Sequence, residues 1–257
     1  MSTPGVLLVV EREARVFRRL WRGTVFTSFL IPILFLAAMG LGLGGLVKQR
    51  TGQVDGMSYL HFVTPGLLAA TAMQTAAAGS LWPVMAGTKW VRFFHGVVAT
   101  PLGPDDLYGG YVVWTCIRTA MQSAAFLIVA ALLGGVPSAW GVLALPLSVL
   151  TAAAFTAPLT AWAATQQSEQ AFPIVFRVGI MPLFLFSGTF FPVSQLPHWL
   201  RPFCTLSPLW HGAELVRGAT SGRLSMAAGA AHVAVLVALV VLGWAWGTRT
   251  FTRSLTR

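Results

Sequence analysis

The stretch Met226–Gly247, MAAGAAHVAVLVALVVLGWAWG, contains no Asp, Glu, Lys or Arg. About 20 such residues of helix cross the hydrocarbon of a bilayer. Lipid offers a backbone amide no partner but its own chain, so the segment must be helical. Five more apolar stretches lie upstream, at Thr24–Val47, Tyr59–Pro83, Leu107–Gly134, Trp140–Thr165 and Phe172–Phe191. Together they predict an all-α integral membrane protein with six transmembrane helices. The composition agrees: 56% of residues are hydrophobic, 9% are charged, and mean hydropathy is +0.73. A soluble chain this apolar would expose patches that aggregate.

The net charge of +10 and pI near 11.3 would suggest nucleic acid for a soluble protein. In a membrane protein the distribution of cations between loops matters more. Arg12, Arg15, Arg18, Arg19 and Arg22 precede the first stretch, Arg249, Arg253 and Arg257 follow the last, and Lys89 and Arg92 lie between the second and third. Only Lys48, Arg50, Arg201, Arg217 and Arg223 fall on the other side. This bias predicts both termini in the cytoplasm of a bacterial cell bounded by this membrane. The first apolar stretch is too long for a cleavable signal, and no small-x-small site follows it. Cys116 and Cys204 fall at different depths, which predicts free thiols rather than a disulfide.

Three segments do not read as spans. Residues 1–23 carry an amphipathic pattern, with Val6, Val9, Glu13, Phe17 and Leu20 opposite a basic face. That pattern predicts an interfacial helix or a basic topology anchor. Residues 84–106 form the longest cytoplasmic loop, MAGTKWVRFFHGVVATPLGPDD from Met85. Trp90, Val91, Phe93, Phe94, Val97 and Val98 can make an apolar face on a short helix stopped by Pro101 and Pro104. Such a helix suits a partner or the membrane surface. Asp105 and Asp106 would cap the next helix. Residues 191–224 mix Pro192, Pro197, Pro202 and Pro208 with Trp199, Phe203 and Trp210. They are too broken to span and too apolar for a free loop, which predicts short re-entrant helices in the outer leaflet. Gly40 and Gly44 form a GxxxG pair suited to close helix packing.

The chain has no G-x-x-x-x-G-K-[ST] phosphate loop, no H-E-x-x-H and no G-x-S-x-G, so no catalytic residue, cofactor or metal is assigned to it. His211 and Glu214 have a ligand-like spacing, but no second cluster accompanies them. Arg118 and Arg177 lie within spans. Intramembrane charge faces protein or water, so each is either a structural group or part of a substrate path, with Glu169 a partner for Arg177.

Phe62-Val-Thr-Pro-Gly66, Gly87-Thr88, Thr100-Pro-Leu-Gly-Pro-Asp-Asp-Leu107, Phe186-Ser-Gly-Thr-Phe-Phe-Pro-Val193, Leu196-Pro-His-Trp-Leu200 and Ser207-Pro-Leu-Trp-His211 with Arg217 give the chain its resemblance. In order and spacing, over nearly its whole length, it resembles an ABC-2 type membrane permease of the nodulation-protein-J and daunorubicin-resistance-permease kind. The resemblance implies a single six-helix half-transporter that pairs with a second copy or a paralogue. Separately encoded ATPase subunits would bind the ATP and Mg. It further implies that Thr88, Trp90, Phe93, Phe94, Val97, Val98 and Pro101 form the coupling element that meets the ATPase, and that a drug, lipid or lipid-linked glycan is exported. Relatives carry a Glu near the Gly-Thr, where this chain has Met85, Ala86 and Lys89. The alternative reading is a membrane scaffold that recruits a cytoplasmic partner without transport; an intramembrane enzyme is disfavoured by the missing catalytic constellation.

Overall fold

The computed structural model describes residues 5–38 and 53–255. The regular elements among them are helices: α1 Gly5–Ala37, α2 Tyr59–Met85, α3 Phe93–Val98, α4 Pro104–Leu132, α5 Ala144–Ala163, α6 Ala171–Phe186, α7 Arg201–Thr205, α8 Pro208–Ser221 and α9 Met226–Leu255. An isolated bridge pairs Val54 with Met57. Gly40 and Gly44, with Lys48 and Arg50, lie outside the described residues.

α4, α9 and the run Ala139–Ala163 that contains α5 are long and apolar enough to cross a membrane; α6 is apolar but shorter. α2 is long but rich in alanine, glycine and threonine, because protein surrounds it. Phe62, Leu68, Met73, Leu81 and Val84 along its length are all fully buried, against α4, α5 and α8. Ser58 starts it by accepting the His61 amide at 3.3 Å. α4 begins as the sequence predicts. Pro104 takes the first turn and Asp106 accepts the Gly103 amide at 3.1 Å, beside the positive end of the helix.

The N-terminal segment differs from expectation. Residues 5–37 form one unbroken helix rather than an interfacial helix followed by a span. Gly23 sits at the expected joint, and a single glycine costs a helix only about 1 kcal/mol. Tertiary packing makes good that cost. Val9 is buried against Gly110, Glu13 accepts the Tyr111 hydroxyl at 3.1 Å, and the Phe17 and Trp114 rings meet at 5.7 Å. These pairs advance together, so α1 runs beside α4 in the same direction. Of the apolar face read in this segment, Val9 is buried and Val6 and Phe17 are half-buried beside α4.

The buried residues divide along the bundle. One cluster joins Leu36, Leu67, Phe126, Leu209 and Val216; another joins Val9, Val84, Phe94, Tyr108, Phe172 and Phe251. The second lies at the end of the bundle that holds both ends of the described chain. At that end the Tyr108 hydroxyl lies 3.0 Å from the carbonyls of both Ala157 and Gly243, tying α4 to α5 and α9. α9 meets Tyr108 with the rings of Trp244 and Phe251 and with two glycines, Gly243 and Gly247. A Cβ at Gly243 would stand 2.7 Å from the Pro158 ring, and one at Gly247 would collide with Tyr108. This is a GxxxG pair that sequence reading passed over. Gly243→Val is expected to cost about 1–3 kcal/mol by overpacking, read as a lower melting temperature of the purified protein. An unchanged melting temperature would show that α9 does not seat on Pro158.

Candidate functional site

The segment after α2 does not form one continuous amphipathic helix. α2 runs into a π-helical turn, Ala86–Trp90, and the chain then reverses at Arg92, whose φ of 55° is left-handed. α3 follows. The turn divides the predicted apolar face in two. Phe94 points inward and is 0% exposed, with Tyr111 at 5.0 Å and Phe251 at 6.1 Å between ring centres. Gly87 makes room for it, since any side chain there would strike the Phe94 ring. Thr88 is also buried and donates to the Val84 carbonyl at 2.9 Å. Trp90 and Val91 point the other way, 52% and 71% exposed. Val97 and Val98 are half-buried and Pro101 is exposed. Thr88 and Phe94 are thus turned into the bundle, whereas Val91 stands exposed beside Trp90.

Phe93 connects the segment to α1. It meets Phe94 at 4.7 Å, and the Arg12 guanidinium sits 4.1 Å over its ring. Arg12 pairs with Glu13, which accepts from Tyr111, which packs on Phe94. The segment, α1 and α4 are thus joined by a closed ring of contacts. α3 is thereby in contact with the feet of both long helices.

At the far end of the bundle, several of the quoted motifs meet at one side chain. Arg217 on α8 is only 6% exposed. It donates to the Gly188 carbonyl at 2.6 Å, pairs with Glu214, and lies 4.1 Å over the Phe62 ring. A Cβ at Gly66 would stand 2.7 Å from the Thr189 carbonyl oxygen, so Phe62–Gly66 packs directly on the turn after α6. The Ser187 and Ser207 hydroxyls are 2.9 Å apart, joining that turn to the start of α8. Residues 191–224 do form two short helices, α7 and α8. α8 is buried along Leu209, Gly212, Ala213, Leu215 and Val216, whereas Phe203 and Leu206 by α7 are exposed.

Arg118 lies one turn beyond Trp114 on the α4 face that α1 approaches, half-buried, and its Nε has no hydrogen-bond partner among the described residues. Gln122, one turn further, accepts from Thr75 of α2. Arg177 is exposed on α6, and the ion pairs among the described residues do not include one to Glu169. Glu214 is taken by Arg217, and His211 turns instead to His232, with 2.7 Å between their Nδ1 atoms. The ligand-like spacing of His211 and Glu214 is therefore not used as a pair, and the described residues include no group of three metal-ligating side chains.

The model of the ABC-2 type transporter family matches residues 5–220, from the start of α1 almost to the end of α8. The chain belongs to the ABC-2 type transporter family. It is 30% identical over 241 residues to Nodulation protein J of Bradyrhizobium diazoefficiens, covering 92% of this chain and 90% of that one. It is 27% identical over 251 residues to Nodulation protein J of Rhizobium leguminosarum bv. viciae, at 98% and 95% coverage. It is also 25% identical over 201 residues to the Inner membrane transport permease YadH of Escherichia coli, at 77% and 75% coverage. Membership in this transporter family, with several apolar helices, makes the chain a multi-pass membrane protein.

Proposed function

We propose that this ABC-2 family member is the permease subunit of an exporter driven by a separate ATPase. The exposed pair Trp90–Val91, held out on a turn whose other side is anchored by Phe94, carries the reading. Two large apolar side chains standing free beside a rigid clamp suit insertion into a partner's groove, where such residues dominate binding. The ATPase would hold the ATP and Mg. A second copy or a paralogue would complete the path, and ATP-driven closure would move α3 and rock the bundle between two states. The cargo would be a drug, a lipid or a lipid-linked glycan. α1, α2, α4, α5, α6 and α9 would be the six spans, with α7 and α8 re-entrant in the outer leaflet and both termini in the cytoplasm of the inner-membrane protein. Arg118 would face the path.

Two experiments test this. Trp90→Ala and Val91→Asp are expected to weaken capture of the ATPase subunit at least tenfold and to abolish transport-coupled hydrolysis, with the permease's melting temperature unchanged. Wild-type capture and transport by both variants would turn the reading toward a scaffold that recruits its partner elsewhere. Topology is read by cysteine labelling in a chain whose Cys116 and Cys204 are replaced. Gln53→Cys is expected to react from outside and Thr252→Cys only after permeabilisation; the opposite order would overturn the orientation.

A further inference from the structure

A cavity of about 660 Å³ opens at the terminal end of the bundle, between the foot of α2, α3, the turn after α5 and the last turns of α9. Lys89, Arg92, His95 and Arg253 line it, and the described lining residues include no carboxylate. Elsewhere Arg12, Arg15 and Arg217 each hold a glutamate, but none of these four has an ion pair among the described residues. Clefts lined by one sign of charge focus the field and concentrate counter-ions. Arg92 sits there in a left-handed backbone conformation that a residue other than glycine adopts at a cost, the kind of local strain found at ligand clamps. The cavity therefore calls for an anion.

The surroundings indicate which kind. Val235, Leu242, Trp246 and Arg253 fall on one face of α9 at helical spacing. The three apolar members are exposed, Leu242 at 66%, and α9 is the least covered of the long apolar helices. Trp246 lines the cavity itself, in the position that tryptophan takes where hydrocarbon gives way to headgroups. An apolar track thus descends α9 and ends in a basic pocket without an ion pair among the described residues.

We propose that this cavity holds the phosphate headgroup of an anionic phospholipid, whose acyl chain lies along the Val235–Leu242–Trp246 face. The assignment uses the span reading of α9 and is independent of ATPase docking. The full-length protein, purified in detergent, is titrated with dioleoyl phosphatidylglycerol, with dioleoyl phosphatidylcholine, and with glycerol phosphate or inorganic phosphate, and bound ligand is counted by native mass spectrometry. Phosphatidylglycerol is expected to be retained well above phosphatidylcholine. The double variant Lys89→Gln, Arg253→Gln is expected to bind it about tenfold or more weakly, given the contribution of each cation near a lipid surface. Arg92→Gln is expected to weaken it by a smaller factor, and the charge-matched control Arg15→Gln, Arg19→Gln to leave it unchanged. Leu242→Ser is expected to weaken phosphatidylglycerol without touching glycerol phosphate. Equal retention of the two lipids, or wild-type retention by the double variant, would overturn the proposal and leave the cations to an acidic protein segment. Glycerol phosphate binding as tightly as phosphatidylglycerol would overturn the lipid assignment in favour of a soluble phosphate.

Discussion

Arg217→Ala is expected to cost about 2–3 kcal/mol of folding stability, the range for losing a buried hydrogen bond to a charged group and leaving its acceptor unsatisfied. The side chain is almost completely enclosed. It supplies the Gly188 carbonyl with a donor, Glu214 with a counter-ion and the Phe62 ring with a cation. Alanine removes all three contacts and leaves an acidic group beside α8 without its partner. The turn after α6, the start of α2 and α8 lose their common tie, so little variant protein should survive extraction. Arg217→Lys is expected to recover less than half of the loss, because an ammonium cannot fork between Gly188 and Glu214 while lying flat on Phe62. Melting temperature and monodispersity in detergent are the measurements. An alanine variant that melts with the wild type would show that these contacts carry no net stability.

Phe94→Ala is expected to cost about 3–5 kcal/mol at the terminal end, the usual result of deleting a buried phenylalanine. From sequence alone Phe94 counts among the partner-contacting residues, and its loss would spare the fold. Its burial among Gly87, Tyr111 and Phe251 reverses that expectation. The variant should melt early and lose ATPase capture together, whereas Trp90→Ala should lose capture alone. Gly87→Val is expected to behave like Phe94→Ala, because it evicts the ring from the other side. Hydrogen exchange on α3 separates anchoring from contact: Phe94→Ala should speed exchange across Phe93–Val98, and Trp90→Ala should not. Unchanged exchange and stability in Phe94→Ala would sink the clamp.

Much of the fold is legible in the chain because the physics is local. Run lengths set the helices, the proline pair Pro101 and Pro104 separates α3 from α4, and Asp106 caps where a helix start demands an acceptor. The segments on either side of the spans are visible as places where apolar character and prolines coincide. The direction of each side chain is less legible. In a membrane protein the lipid-facing and protein-facing sides of a helix are both apolar, so hydrophobic pattern does not separate them. Val9 on α1 therefore reads as membrane-facing when it is covered by α4. The two glycines Gly243 and Gly247 pass as ordinary members of an apolar run, although Pro158 and Tyr108 depend on their lack of a side chain.

The sequence by itself determined an all-helical membrane chain, the family, and the broken apolar segments 84–106 and 191–224, since composition, breakers and motif order do not require knowledge of neighbours. Only the tertiary structure decided which aromatics of Met85–Pro104 anchor and which stand free, because a π turn and one left-handed residue, Arg92, rotate Trp90 away from Phe94. It also decided that Phe62, Gly188 and Glu214 share a single arginine, and that Lys89, Arg92, His95 and Arg253 surround one cavity. Arg253 lies far along the chain from Lys89, Arg92 and His95, and Phe62 and Gly188 lie far from Arg217. Their meeting follows from how the helices pack, and no local spacing encodes it.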